Sequence, residues 1–558
     1  MPTQGLSEDI NVRIAGQVTS EGLVIGWAFV HYNLLDALSA HRAIATHQIE
    51  EELDLIDRAV ETVLQDLKVS AQRIEEHAGP KLAAIFGAHE AILQDPSLRQ
   101  EIRDQIKREL IGAAHALARV FQRWQGKFRA MPQELHRERA DDLMDLEGRL
   151  LREMAGVKTT ALEMMPSGRV LVARRLLPSE TVALPRRAVT GIVLEFGGPG
   201  SHAALFARAL GIPTVAQIPN ATKRIADGQE LIVDGIAGEV ILSPDPATRA
   251  RFEEKISSLQ GRQLRAKRLA GQPARTVDGT EVAVMANVGC REDVIAAAEN
   301  GADGVGLYRI EQFYLSRNTP PSAGELLAEL RVAFAPLAGK PITVRLLDLG
   351  ADKPVPYLNF PIEDEPFLGR RGVRLLLRYP DLLDTQFRAL LDFSCDHDLH
   401  ILVPMVTLAE EMAEVRKRFR AFADGAGFGK LPPLGAMIET PAAALTIGDI
   451  IQHADFLSIG TNDLTQFTMA AGRENPLVND YFVESHPAML RLVRIVVEEA
   501  GKTPVAICGE LAAQLDSIPT LLKLGVRSLS VAPPLVPGAK EAIRQTSVRE
   551  GQATDDHS

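Results

Sequence analysis

Residues 434–467 read LGAMIETPAAALTIGDIIQHADFLSIGTNDLTQF, and two short apolar runs inside them, LGAMIE and FLSIG, decide the fold. Each run has strand character and gives way at its C-terminal end to a polar segment, with Glu439 closing the first and Asp463 just beyond the second. Six more runs of this kind flank them: VAVMANV, GVGLYR, ITVRLLD and HILVPMV before, VAICG and SLSVA after. Segments of helical periodicity, such as EDVIAAAEN, LLDTQFRALLDF, EEMAEVRKRFRAF and AMLRLVRIVVEEA, separate them. Eight strand–helix units over roughly 270 residues have the size and rhythm of a TIM (β/α)8 barrel. A doubly wound open sheet is the competing arrangement. The barrel is favoured because Asn287, Arg309, Asp348, Glu439, Asp463 and Cys508 fall at or just past the C-terminal ends of their runs, the face where barrel enzymes collect their chemistry.

Upstream of the barrel the pattern changes twice. Residues 12–31, VRIAGQVTSEGLVIGWAFVH, read as short strands punctuated by glycine. From about 36 to 150 the strand signal disappears, and apolar residues recur every three and four positions, the mark of an amphipathic helical bundle. Strand and helix patterns return between 168 and 244, in RVLVARRL, VTGIVLEF and ELIVDGIAGEVILSP. The helical block therefore reads as an insertion in an α/β domain. The expected organisation is an α/β domain from 1–35 and 150–245, an inserted helical domain at 36–149, a charged linker helix at 246–272, the barrel at 273–540 and a polar tail at 541–558.

The 558 residues carry 46% hydrophobic and 24% charged side chains, the composition of an ordinary globular protein of several domains. A net charge of −12 without a basic stripe argues against a nucleic-acid partner. The start lacks a secretory pattern and no run approaches the ~18 apolar residues of a membrane span. A cytoplasmic protein without membrane insertion is expected. Cys290, Cys395 and Cys508 are too few and too widely spaced for a disulfide framework or a cysteine zinc site.

The residues with chemical potential fall into two groups. In GGPGSHAALFARALGIPTV, residues 197–215, the glycines allow a tight turn, Ser201 is a good helix N-cap, and His202 lies in the first helical turn. Backbone N–H groups and the helix dipole would favour an anion there and keep the imidazole neutral. No acidic residue occurs from Gly197 to Gln217, so phosphoryl transfer onto His202 is one reading; a histidine that merely assists the helix cap is the other. The barrel supplies the second group. Arg309, Arg345, Lys353, Arg371 and Arg473 follow strand ends and would clamp phosphate and carboxylate oxygens, with Asn462 donating a hydrogen bond to the same ligand. Glu439 and Asp463 would suit Mg²⁺, or would pair with those arginines. Cys508 is placed to exchange a proton with a carbanion or enolate, whereas Cys290 and Cys395 are expected to be buried small hydrophobes.

Together these motifs resemble phosphoenolpyruvate–protein phosphotransferase, the enzyme I of the bacterial sugar phosphotransferase system. GGPGSHAALFARALGIPTV resembles its phosphohistidine signature, and GVGLYRIE, DLGADKPVPYLNFP, IETPAAA, SIGTNDLTQFTMA and CGEL its barrel signatures. In the helical insert, FGAHEAILQDPSL and ERADDLMDLEGRLL are similar to the part that docks the phosphocarrier HPr. The resemblance implies a swivelling phosphohistidine domain. In it, His202 takes a phosphoryl group from phosphoenolpyruvate and passes it to a histidine of an HPr-like protein. It further implies that Arg309, Arg345, Lys353, Arg371, Asn462 and Arg473 hold the substrate. Glu439 and Asp463 would hold Mg²⁺, Cys508 would protonate the enolate to pyruvate, and the chain would form a homodimer through the barrel. Gly200 stands where the family usually has Thr, Ile310 replaces the Thr of RTE, Gly472 replaces an acidic residue and Glu365 an Asn. The related dikinases and synthases would need an ATP-binding domain, for which the helical first 150 residues offer no glycine-rich loop ahead of a lysine.

Overall fold

The computed structural model describes residues 10–31, 41–78, 80–129, 134–157, 161–181, 184, 188–198, 201–315, 317–350, 355, 357–358, 363–473 and 475–548. The chain divides into two compact units, 1–259 and 260–558.

In the first unit eight strands form one sheet: β1 (Val12–Ala15), β2 (Gln17–Ser20), β3 (Leu23–His31), β4 (Val170–Ala173), β5 (Gly191–Leu194), β6 (Thr214–Ala216), β7 (Glu230–Asp234) and β8 (Glu239–Leu242). Their order is β1-β8-β7-β3-β4-β5-β6-β2. Strands β3 to β6 run parallel, and their Val- and Ile-rich sequences suit burial on two faces. Between β3 and β4 the chain makes five helices: α1 (Ile49–Ala78), α2 (Pro80–Gln94), α3 (Pro96–Glu109), α4 (Ala113–Arg129) and α5 (Glu134–Met154). Their core includes Val60, Leu67, Phe86, Ile106, Phe121 and Leu146. Asp145 of α5 accepts hydrogen bonds from the N–H of Ser179, at 2.9 Å, and from its hydroxyl, tying the bundle to the strand-bearing part.

Helix α6 (His202–Ala209) is held from two sides. Ala203 and Ala207 join the apolar cluster on the sheet, while Phe206, fully buried, joins the core of the bundle. Helix α7 (Pro246–Arg268) follows, and the division between the two units falls within it, after Leu259.

The second unit is a closed barrel. Strand β9 (Ala274–Arg275) pairs antiparallel with β10 (Glu281–Val288). Parallel pairing then runs through β11 (Val305–Arg309), β12 (Ile342–Arg345), β13 (Leu399–Val406), β14 (Leu434–Ile438), β15 (Leu457–Ile459), β16 (Val505–Ile507) and β17 (Ser528–Val531). Pairing of β17 with β10, Ala283 opposite Ser528, closes the ring. All eight apolar runs predicted from the sequence become its strands. Leu307, Leu402, Met437 and Cys508, contributed from different strands, form a small apolar cluster of their own, apart from the large core that includes residues of the surrounding helices.

The packed chain continues past 540, where the sequence suggested a tail. Helix α8 (Val536–Arg544) carries buried Lys540, Glu541 and Ile543, and the Val548 N–H donates to Asp278 Oδ2 at 2.8 Å. Lys540 is fully buried, and its ammonium donates to Ala270 O (2.8 Å), Gly301 O (2.7 Å) and Asp303 Oδ1 (2.6 Å). Lys540→Met should leave these acceptors buried without a donor and cost about 3 kcal/mol, read as a lower urea midpoint for the barrel at unchanged slope. An unaltered midpoint would contradict the anchoring role.

Candidate functional site

Strand β5 ends at Leu194, and the chain turns through Gly197, whose φ of 141° is open to glycine but strained for other residues. The Ser201 hydroxyl accepts the Ala204 N–H at 3.3 Å and donates to Gly198 O at 2.8 Å, so Ser201 is the N-cap that the sequence indicated and His202 is the first residue of α6. The helix stops at a left-handed Gly211, φ 64°. The His202 imidazole, Gly200 and Lys353 lie outside the described atoms.

In the barrel, the predicted residues at the C-terminal strand ends form one charged network. Asp348, 3% exposed, is its hub: Oδ2 accepts from Arg371 Nη2 at 2.7 Å and pairs with Arg345 Nη1 at 3.2 Å, and Oδ1 accepts from Arg371 Nε at 3.2 Å. Arg371 extends to Asp463, Nη2 to Oδ2 at 3.2 Å. Gly372 beside it has φ 55°, and a side chain there would strike Met405. Burial alone would make Arg345 and Arg371 poorer bases, but the surrounding carboxylates outweigh it and fix both as cations.

Glu439 is buried and its Oε1 accepts the Met405 N–H at 2.6 Å. Burial, then the charges of Asp463 and Asp348, push its carboxyl well above the ordinary carboxylate range, against the pull of Arg345 and Arg371. Asp463 is ion-paired to Arg371, whereas Glu439 accepts from backbone. Among the described residues no group of three or more His, Cys, Asp or Glu side chains clusters as a metal site.

Cys508 is 2% exposed and receives a hydrogen bond from Ser458 Oγ at 3.2 Å. Burial pushes its thiol up to about 11, with Ser458, Arg309 and Arg345 opposing the rise, so at neutral pH the sulfur keeps its proton. Gly509 permits the close approach anticipated for it: a Cβ there would collide with Thr461 and Asn462. Asn462 is oriented by Glu510, accepting its N–H on Oδ1 at 2.8 Å. Arg309 is exposed at the end of β11. Arg473 is also exposed, its backbone N–H donating to Gln466 Oε1 at 3.1 Å.

Two buried acids escaped the sequence reading. Glu311, 6% exposed, accepts from Arg345 Nη2 at 3.0 Å and from the Asp348 N–H at 2.9 Å, and so sets the angle between them. Its signal was faint, an acid in the first turn of a short helix, which ordinarily means only dipole compensation. Glu484, also buried, accepts from Gln514 Nε2 at 2.7 Å, and burial followed by the charge of Glu510 pushes it up to about 7. One expectation fails: Cys395 is exposed and Cys290 only half-buried, because each sits at a helix end rather than on an apolar face.

Known proteins are similar to this chain over most of its length. Residues 15–139 match the family described as PEP-utilising enzyme, N-terminal, residues 165–238 its mobile domain, and residues 263–548 its PEP-binding domain. The class is thus that of PEP-utilising enzymes. A phosphoenolpyruvate-protein phosphotransferase of Bacillus sp. (strain S) is 35% identical over 544 residues, covering 96% of this chain and 94% of that protein. One from Haloferax volcanii is 37% identical over 497 residues, 87% of this chain and 86% of the relative. A multiphosphoryl transfer protein of Rhodobacter capsulatus is 36% identical over 500 residues, 88% of this chain and 60% of its own length. The chain belongs to the phosphoenolpyruvate-protein phosphotransferase family.

The thiol gives a measurable pH effect. An unfolded cysteine ionises near 9.0 and Cys508 near 11, so between those values the unfolded chain sheds a proton that the native one keeps. Stability conferred by Cys508 is complete below pH 9 and declines as pH rises through 11, by about 2–3 kcal/mol in total. Urea unfolding of the wild type and Cys508→Ala at pH 8 and pH 11 should show their difference shrinking by that amount; a constant difference would place the thiol in water.

Proposed function

We propose that the enzyme moves the phosphoryl group of phosphoenolpyruvate first to His202 and then to a histidine of an HPr-like phosphocarrier. The observation that carries this reading is the pairing of buried, permanently charged Arg345 and Arg371 around Asp348 at the strand ends of a barrel whose thiol remains protonated. Such fixed guanidiniums suit a phosphate and a carboxylate bidentately, with Arg309, Arg473, Asn462 and Lys353 completing the substrate's surroundings.

In the first half-reaction an imidazole nitrogen of His202 attacks phosphorus with its lone pair. The N–P bond forms as the bridging P–O bond breaks, and the electron pair of that bond passes to the enolate of pyruvate. Arg345 and Arg371 stabilise the negative charge in transit. Cys508 then delivers its proton to the methylene carbon of the enolate, giving pyruvate, and the thiolate recovers a proton from water. In the second half-reaction a neutral histidine of the carrier attacks the same phosphorus and the His202 N–P bond breaks.

Glu439 and Asp463 would hold Mg²⁺. Two oxygen donors, with water and substrate supplying the rest, suit this hard cation, and Glu439 is not consumed by an ion pair among the described residues. When bound, the ion would supply charge neutralisation to the phosphoryl oxygens. The five-helix insert would dock the carrier, α7 would act as the swivel, and two copies would associate through their barrels. Among the described residues no helix is long and apolar enough to cross a membrane; the enzyme would act in the cytoplasm.

With ³²P-labelled phosphoenolpyruvate, His202→Ala should lose all acid-labile label, and label persisting on another residue would move the acceptor site. Cys508→Ala should still take up label while forming pyruvate on the order of 100-fold more slowly. Undiminished pyruvate formation would remove the thiol as proton donor.

A further inference from the structure

Cys508 lies one residue past the end of its strand, because the ladder between β16 and β17 closes with Ile507 opposite Leu529. Other contacts must therefore place it. On one side β15 holds it: the Cys508 N–H donates to Ile459 O at 3.0 Å, and Ser458 Oγ donates to its sulfur at 3.2 Å. The apolar neighbours Leu307, Leu402 and Met437 exclude water from the thiol but impose no direction on it.

On the other side the support comes from across the seam of the barrel. Asn287, next to last in β10, donates from Nδ2 to Cys508 O at 2.9 Å and to Ser530 O at 3.0 Å. Since the strands run in the order β16-β17-β10, one amide spans β17 to reach the end of β16. A side-chain amide has two N–H donors, and these two carbonyls use both. Buried Ser530 donates its hydroxyl to Asn287 Oδ1 at 2.7 Å, which fixes which end of the amide faces the carbonyls. Aspartate would match the shape of Asn287 without its donors. The position thus calls for an amide and not merely for a polar group of that size.

A proton passes from sulfur to carbon only when donor and acceptor are aligned, and a misplacement of about 1 Å can cost on the order of 100-fold in rate. We infer that Asn287 is a positioning residue, holding the main chain of Cys508 so that its thiol meets the methylene carbon of the enolate. The inference rests on Cys508 being the proton donor. The step itself is unchanged: the S–H bond breaks, its electron pair stays on sulfur, and the C–H bond that completes the methyl group of pyruvate forms.

The test uses the full-length chain, with Asn287→Ala made both in the wild type and in the Cys508→Ala background. Ser530→Ala, which loosens the amide without removing it, is made in both as a milder variant. Uptake of acid-labile label from ³²P-labelled phosphoenolpyruvate, the rate of pyruvate formation and the thermal midpoint are measured for each protein. In the wild-type background Asn287→Ala should slow pyruvate formation about tenfold and Ser530→Ala about threefold, while label uptake stays the same. In the Cys508→Ala background neither should slow it further, because residues that act through one group are not additive. Equal losses in the two backgrounds overturn the inference, as does a wild-type rate in Asn287→Ala. Should Asn287→Ala fail to fold, the Ser530→Ala cycle decides by the same criteria. Undiminished pyruvate formation in Cys508→Ala alone would instead remove the proton donor, so the two failures are distinct.

Discussion

One carboxylate placed between two buried guanidiniums sets the terms for the barrel's chemistry. Asp348 neutralises Arg345 and Arg371 enough for both to stay inside the protein, yet one acid cannot cancel two bases. Glu311 and Asp463 share the remainder. Burying ions is costly unless geometry and hydrogen bonds compensate, and removing one partner of such a set costs more than the pair contributes. The cup is thus a fixed electrostatic frame made before any ligand arrives, and its members cannot drift independently.

That frame explains the contrast between Glu439 and Cys508. Both are buried at strand ends, one after β14 and the other after β16, and both hold protons more tightly than in water. For the carboxylate, burial is reinforced by the negative charges of Asp463 and Asp348. For the thiol it keeps the proton in place, the state that the proposed role as donor to the enolate requires. A single low-dielectric environment thereby raises both, because each conjugate base is an anion that burial disfavours.

Much of this was legible in the sequence, and the reasons differ by element. Strands of a parallel barrel are buried on two sides and read as continuous apolar runs, so β10 to β17 could be counted directly. The cap at Ser201 and the stop at Gly211 follow from local backbone rules and were equally plain. Strand β6, three residues long, offers no period to detect. Glu311 and Lys540 were opaque because their meaning is tertiary: an acid in a first helical turn and a lysine in a polar helix look solvated until the partner carbonyls and guanidiniums, distant in sequence, surround them. Asp348 was noticed at its strand end, but its bond to Arg371 spans a loop that no spacing rule predicts.

The ring of strands is sealed by β10 and β17, the first and last of the eight, and α8 lies across that seam with Lys540 reaching back to Ala270 and Gly301. During synthesis on the ribosome the five-helix insert, built from contacts among successive segments, is complete early. The barrel waits for its final strand. Until then two sheet edges with unsatisfied backbone groups stay open to stray pairing. A nascent chain stalled before β17 would therefore present an unclosed cylinder with two adhesive edges.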